Sequence, residues 1–169
     1  LLTTVPMGGN VSPMILERLS REPYRLTMRR GSARIGTIPD AVQVGPKVCL
    51  INKYSASDGD LFPWGFRALG LGKLIGTRTW GGIVGISGSL PYMDGTDIRV
   101  PFFTSFDPKT GSWIIENHGV DPDILIDNDP VKEWNGEDQQ LDRAIQEVMK
   151  ELQNRKPLPG VPTPRDFSK

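Results

Sequence analysis

One short stretch constrains this chain more than any other, because an apolar run stops there at an elbow of small residues and an amphipathic segment follows. Residues 48–51 (Val-Cys-Leu-Ile) are the unbroken apolar run that is typical of a strand buried on both faces. After the elbow, apolar residues recur near helical spacing until Gly70, which is placed to end a helix. The pattern predicts a strand, a tight turn and a helix, with Ser57 where strand gives way to helix.

A hydroxyl group at that position has a chemical use. Free backbone N–H groups and the positive end of the helix dipole lie at a helix N-terminus, so an oxyanion formed beside Ser57 would be stabilised there. The alternative is that Ser55, Ser57, Asp58 or Asp60 only caps the helix, since these are preferred cap residues. The local sequence leaves both interpretations open.

Length and composition favour one loop-rich α/β domain. The 169 residues suffice for a single core, and 19 Gly and 15 Pro indicate many turns. Twenty basic and twenty acidic residues cancel, so no basic field favours nucleic acid, and no apolar run reaches the roughly 18 residues of a membrane span. The single cysteine, Cys49, excludes a disulfide framework within this chain and is typical of a small buried apolar residue. Because the chain opens as if in mid-strand, we expect a fragment.

The N-terminal third predicts a strand over 1–5, a turn over 6–10 and a helix over 11–19 with Ser12 as a cap. The Gly8-Gly9 pair either points backbone N–H groups outward or simply forms a tight turn, the commoner case. Residues 20–46 carry scattered arginines among Pro and Gly. Such a stretch is usually a solvated surface, and the alternative is a patch for anionic substrates.

The remaining pattern predicts a parallel crossover and two further features. Residues 71–76, a turn leading into another short strand, would complete a strand–helix–strand unit that contains the elbow. Residues 97–115 suggest a β-hairpin with its turn at 107–111, and residues 139–153 an amphipathic helix. The proline-rich end, 156–169, is typical of an extended tail.

Four ionisable residues cluster in 116–123: Glu116, His118, Asp121 and Asp123. His118 is the only histidine, so a catalytic triad built from this chain alone would combine it with Ser57 and Asp121 or Asp123. A lone loop histidine is more often an exposed polar residue. The acidic residues near 127–129 lack the spacing of a calcium loop, and we predict no metal site.

Taken together, the motifs resemble the catalytic part of the S41 serine peptidases, in their tricorn-protease-like branch. Four segments carry the resemblance, in order along the chain: 54–63 (YSASDGDLFP), 76–82 (GTRTWGG), 116–123 (ENHGVDPD) and the acidic approach to the last helix. The resemblance implies a fold of the ClpP/crotonase kind, built of stacked βαβ units with an added β-hairpin and the C-terminal amphipathic helix. It divides the chain into a nucleophile-bearing catalytic subdomain, 1–155, and a tail, 156–169.

The resemblance also implies roles for four residues. Ser57 would be the nucleophile, with the backbone N–H groups of Asp58 and Gly9 as the oxyanion hole, and Glu116 would orient the catalytic base. The reaction implied is peptide-bond hydrolysis through an acyl-enzyme, with no cofactor. The implied partners are a peptide or unfolded polypeptide and further copies of the chain, and the implied compartment is the cytoplasm, with the periplasm as the alternative.

The chain also departs from the family pattern. The family's catalytic histidine lies upstream of the nucleophile domain, and nothing before Gly8 matches it, so the base would come from an upstream part of the same protein. Pro6-Met7 replace the polar residues usual in the glycine turn, and no acidic residue between Tyr24 and Gly36 selects basic substrates. A catalytically silent domain serving as a scaffold or assembly module is therefore the alternative.

Overall fold

The computed structural model describes residues 2–4, 9–32 and 34–163, with the backbone alone described at 2–4 and 87–90. The elements in chain order are β1 (Leu2–Thr4), α1 (Ser12–Ser20), β2 (Arg25–Met28), β3 (Ile35–Ile38), β4 (Val48–Ile51), α2 (Asp58–Ala68), β5 (Lys73–Gly76), β6 (Gly85–Pro91), β7 (Asp97–Phe103), β8 (Ile124–Leu125), α3 (Pro130–Trp134) and α4 (Gln139–Gln153).

A four-stranded parallel sheet in the order β1-β4-β5-β8 forms the centre of the fold. Strand β4 pairs with β5 over its whole length, from Val48 opposite Lys73 to Ile51 opposite Gly76. Helix α2 connects these two strands, which confirms the predicted crossover unit. The elbow therefore lies at the carboxyl end of an inner strand, which is where open α/β sheets place their ligands.

The two faces of the sheet pack against different helices. On one face, a buried cluster joins α1, β4, α2 and β5 through Leu19, Cys49, Ile51, Phe62, Phe66, Leu74 and Val120. The Phe62 and Phe66 rings are fully buried with centroids 5.9 Å apart, and burial of each side chain contributes about 1.5–3 kcal/mol. Because both rings belong to α2, this packing fixes the start of that helix relative to the sheet.

Helix α4 covers the other face with the bounds that the sequence predicts. Ala144 packs beside Val48 and Ile75, and the buried Glu147 carboxylate accepts hydrogen bonds from Lys73 of β5 and from Arg143. These two cations hold the pKa of Glu147 below its ordinary value, and Glu147 in turn raises that of Lys73. The apolar stripe of this helix is only partly buried, since its outer residues are exposed: Ile145, Met149 and Leu152.

The prediction of a hairpin over 97–115 is wrong in its partner strand. Strand β7 pairs antiparallel with β6, which precedes it, through a turn at Asp94 and Gly95. The absent side chain of Gly85 admits the Phe103 ring, because a Cβ atom at Gly85 would lie 2.0 Å from that ring. The predicted turn at 107–111 does form, but it closes only a single bridge between residues 106 and 113.

Other differences are local. Strand 1–5 is described at 2–4, whereas residues 5–8, including Gly8 and most of the predicted turn, lie outside the described residues. Helix α1 spans Ser12–Ser20 rather than 11–19, and its N-cap residue is Val11 rather than Ser12. The short elements α3 and β8 and the β2–β3 hairpin were not predicted. Within the described residues, no helix has both the length and the apolar character needed to cross a membrane.

Candidate active site

Ser57 occupies a left-handed backbone conformation at the start of α2. Its φ and ψ are 57° and −114°, and its side chain is exposed. A non-glycine residue held in such a sparsely populated region costs about 1–3 kcal/mol, and strain of this kind concentrates at functional sites. The turn before it is fixed by Ser55, whose buried hydroxyl accepts a hydrogen bond from the Asn52 N–H at 3.3 Å. The elbow therefore presents one hydroxyl on a rigid turn.

The buried carboxylate of Asp60 fixes this conformation. One oxygen accepts from the Ser57 N–H at 2.8 Å and from Gly82 N–H at 3.2 Å, and the other accepts from Gly81 N–H at 2.8 Å. Asp60 is fully buried, so these three bonds replace the water that the charge would otherwise bind. Asp60 thus connects the elbow to the loop that follows β5.

Asp58 links the elbow to the glycine turn before α1. Its carboxylate accepts hydrogen bonds from the N–H groups of Val11 and Ser12, both at 3.1 Å, and so caps α1. A Cβ atom at Gly9 would lie 3.8 Å from the same carboxylate, which places Gly9 beside Asp58. Among the described residues, nothing accepts a hydrogen bond from the Asp58 N–H. Two of the predicted site residues are therefore neighbours although 49 positions separate them in the sequence.

Glu116 lies on a loop that is hydrogen-bonded to residues 81–84, the loop that follows β5. One carboxylate oxygen, Oε2, accepts from Ile83 N–H at 2.7 Å and from Val84 N–H at 3.0 Å, while Oε1 has no partner within the described ranges. The adjacent Asn117 N–H donates to the Gly81 carbonyl at 2.7 Å. Residues 81–84 thus hold the Asp60 carboxylate with two N–H groups and the Glu116 carboxylate with the next two. Glu116 keeps one oxygen available for another hydrogen bond.

The histidine does not complete a triad with Ser57. Its Nε2 atom lies 2.9 Å from a carboxylate oxygen of Asp121, and both side chains are more than half exposed. Asp123 pairs with Arg67 at 2.8 Å and accepts from the Leu74 N–H at 2.7 Å, so it anchors the sheet. No hydrogen bond joins His118 to Ser57 in the part of the chain that is described.

Cys49 is buried in the sheet away from the elbow. Burial raises the pKa of its thiol to about 12, which disfavours the reactive thiolate near neutral pH. No group of three or more metal-binding side chains occurs over the ranges 9–32 and 34–163.

Most of the hydrogen bonds that Asp60 accepts were missed in the sequence analysis. Asp60 was considered only as a helix cap, yet it also binds the amides of Gly81 and Gly82, 21 and 22 positions away. The serine-x-x-acid spacing at 57–60 signals the capping half of this arrangement. The second half depends on long-range packing, for which the Gly-Gly pair after a strand was the only local sign.

Comparison with known proteins places the chain in a family. The sequence model of peptidase family S41 matches residues 8–126, a range that contains Gly9, Ser57, Asp58 and Glu116. Tricorn protease of Thermoplasma volcanium is 42% identical over 88% of the chain and 14% of the relative. Tricorn protease homolog 1 of Streptomyces coelicolor is 39% identical over 82% of the chain and 13% of the relative.

A solved structure agrees with the sequence relatives. A crystal structure of the tricorn protease superposes with a TM-score of 0.82 at 38% identity, over 91% of this chain and 15% of that one. The chain thus spans about 14% of the length of the curated relatives that it matches. Since the family model covers well over half of the chain and the fold agrees, the chain belongs to peptidase family S41.

Proposed function

We propose that this chain carries the nucleophile of a serine-type peptidase, with Ser57 as the attacking residue. The observation that carries the proposal is the strained, exposed position of Ser57 at the N-terminus of α2, held there by the buried Asp60 carboxylate. Membership of peptidase family S41 and similarity to proteins named tricorn protease support the same reaction class.

In the proposed reaction, the Ser57 Oγ bonds to the scissile carbonyl carbon while its proton passes to a general base. The oxyanion that forms accepts hydrogen bonds from the N–H groups of Asp58 and Gly9, at the positive end of α2. The C–N bond then breaks, and the amine leaves with the proton from the base. Water, deprotonated by the same base, cleaves the acyl-enzyme and restores the serine hydroxyl.

The proposed base lies outside these 169 residues, in an upstream part of the same protein. What supports this is the engagement of His118 with Asp121, together with the free Oε1 of Glu116, which suits a residue that orients a base. A serine hydroxyl without its base reacts slower by orders of magnitude. We therefore expect the chain by itself to be inactive or very slow.

The finer assignments belong to the same proposal. We assign residues 1–155 to a catalytic subdomain of the ClpP/crotonase kind and 156–169 to a tail. Peptides or unfolded polypeptides are the proposed substrates, cleaved without a cofactor, and homo-oligomers the proposed assembly.

One observation favours a second candidate, a catalytically silent domain that acts as a scaffold. Among the described residues, no titratable side chain forms a hydrogen bond with the Ser57 hydroxyl, so nothing in that part of the chain activates it.

A fluorophosphonate probe separates the two candidates, because it bonds covalently to activated serines. The 169-residue chain and a form extended upstream would be labelled, each as wild type, Ser57→Ala and Ser112→Ala, the last being an exposed matched serine. We expect fast labelling of the extended form that Ser57→Ala abolishes and Ser112→Ala leaves intact. Absence of labelling in every form would overturn the peptidase proposal and favour the scaffold.

A further inference from the structure

The β2–β3 hairpin concentrates positive charge. Residues 25–34 (RLTMRRGSAR) contain four arginines and no acidic residue. None of the four has an ion pair within the described residues, whereas most arginines elsewhere in that part of the chain do: Arg18 and Arg21 with Glu17, Arg67 with Asp123, and Arg143 with Glu147.

The pairing of the hairpin separates its two faces. Thr27 lies opposite Gly36, and the next pair, Met28 opposite Ile35, points to the other face. That other face carries Leu26, Met28 and Ile35, which border a cavity shared with tail residues 159–162. The polar face therefore carries Thr27 and, one position beyond the last pair on each strand, Arg29 and Arg34.

A cavity of about 390 Å³ opens on this polar face. Its lining combines two guanidinium groups, two hydroxyls, one glycine and one carboxylate: Arg29, Arg34, Thr27, Ser32, Gly36 and Asp40. A Cβ atom at position 36 would lie 2.8 Å from the Thr27 hydroxyl oxygen, so the glycine leaves the floor of the cavity open. The lining thus offers guanidinium and hydroxyl donors around an open floor.

The charge balance of the lining points to a ligand. Arg29 and Arg34 lie just beyond the paired ends of β2 and β3, and the one carboxylate in the cavity, Asp40, neutralises at most one of the two guanidinium groups. Guanidinium forks match the geometry of carboxylate and phosphate oxygens, and hydroxyl groups add further donors. A bound oxyanion would balance the remaining positive charge and accept hydrogen bonds from the guanidinium and hydroxyl donors.

We propose that this cavity is a binding site for an oxyanion group, held by Arg29 and Arg34 with the hydroxyls of Thr27 and Ser32. Two sources supply that chemistry, the carboxylates of an acidic peptide and free phosphate. Only the peptide source rests on the proposed function, because it would make the site a contact for acidic polypeptide substrates.

The test is a calorimetric titration of the 169-residue chain carrying Ser57→Ala, so that binding is measured without hydrolysis. Inorganic phosphate, acetylated tetraglutamate amide and acetylated tetraglutamine amide are titrated separately. The double variant Arg29→Gln/Arg34→Gln removes the two cavity guanidiniums. Arg30→Gln/Arg155→Gln removes two exposed arginines that do not line the cavity and is the matched control.

We expect saturable binding of an oxyanion ligand, weakened about tenfold or more by the cavity variant and less than about twofold by the control. Tighter binding of tetraglutamate than of phosphate, with no binding of tetraglutamine, identifies the peptide source, and the reverse order identifies phosphate. Equal losses in the two double variants, or no saturable binding of either anion, would overturn the proposal. Gly36→Ala gives an independent check of the cavity itself. It narrows the cavity floor without changing any charge, so it should also weaken oxyanion binding. A failed labelling test at Ser57 would leave the binding result standing.

Discussion

Replacement of Asp60 by asparagine is the most informative single change in this chain. The two side chains have the same shape, so the substitution leaves no cavity and alters only charge and one acceptor. Asp60 is fully buried and accepts hydrogen bonds from the N–H groups of Ser57, Gly81 and Gly82. The variant therefore isolates the contribution of the Asp60 charge to the hydrogen bonds that connect Ser57 with Gly81 and Gly82.

The magnitude follows from those three bonds. An asparagine keeps one acceptor oxygen and turns its NH₂ group toward at least one N–H donor, so at least one charge-assisted bond is lost. Such a bond contributes about 1.5–3 kcal/mol, and the remaining ones weaken to neutral strength. We expect a loss of about 3 kcal/mol in the free energy of unfolding, or about 6–12 °C in Tm for a chain of this size.

Urea unfolding followed by circular dichroism measures the loss in Asp60→Asn. Asp138→Asn is the matched control, since Asp138 is an exposed N-cap of α4 and asparagine caps equally well; its loss should stay below about 1 kcal/mol. In the extended form, fluorophosphonate labelling of Ser57 should slow in Asp60→Asn but not in the control. If Asp60→Asn matched the wild type in stability and labelling, the role assigned to this carboxylate would be refuted.

Three further predictions concern single positions. Gly136→Ala should lower the free energy of unfolding by about 1 kcal/mol, and Gly81→Ala should lower it by well over that amount. Both glycines have φ near 90°, but only a Cβ atom at Gly81 would meet backbone, at 2.4 Å. Thermal unfolding compares the two variants, and equal losses would contradict the geometry. Glu147 has a lowered pKa, so its stabilisation is complete above its ordinary value of 4.5 and is lost as pH falls. Unfolding at acid and neutral pH should therefore show a steeper loss in wild type than in Glu147→Gln. The raised pKa of Lys73 does not affect this comparison, because its stabilisation is complete below 10.5 and is lost only as pH rises above that value. Cys49, with its pKa raised to about 12 by burial, should react with Ellman's reagent only on unfolding, and fast reaction of the folded chain would contradict its burial.

Local signals predicted the elements that carry the elbow. The apolar run 48–51, the helix that Gly70 ends and the helix 139–153 each depend on residues close in sequence, and all three are confirmed. Strand β7 was assigned the wrong partner because turns flank it on both sides, at Gly95 and at Gly111. The actual partner, β6, lies upstream of the segment 97–115, and no pattern within that segment contains its pairing with β7.

The same limit applies to the candidate site. The position of Ser57 at the strand-to-helix turn was predicted from its neighbours. Gly9 lies beside Asp58, and the oxyanion-hole roles that the resemblance implies for these two residues stay predictions. The acceptor role of Glu116 toward residues 83–84 joins segments more than 30 positions apart, as does its proposed orienting role, which stays a prediction. The spacing of residues along the chain does not predict roles that depend on hydrogen bonds between distant segments.

The central claim, that Ser57 cleaves peptide bonds with a base supplied from outside this chain, is tested most directly by peptide hydrolysis. A mixed fluorogenic peptide library would be incubated with the 169-residue chain, with the upstream-extended form and with Ser57→Ala of each. Activity in the extended wild type alone is the predicted result. Activity of the short chain that His118→Ala abolishes would contradict the external base, and silence in all four forms would contradict the peptidase assignment itself.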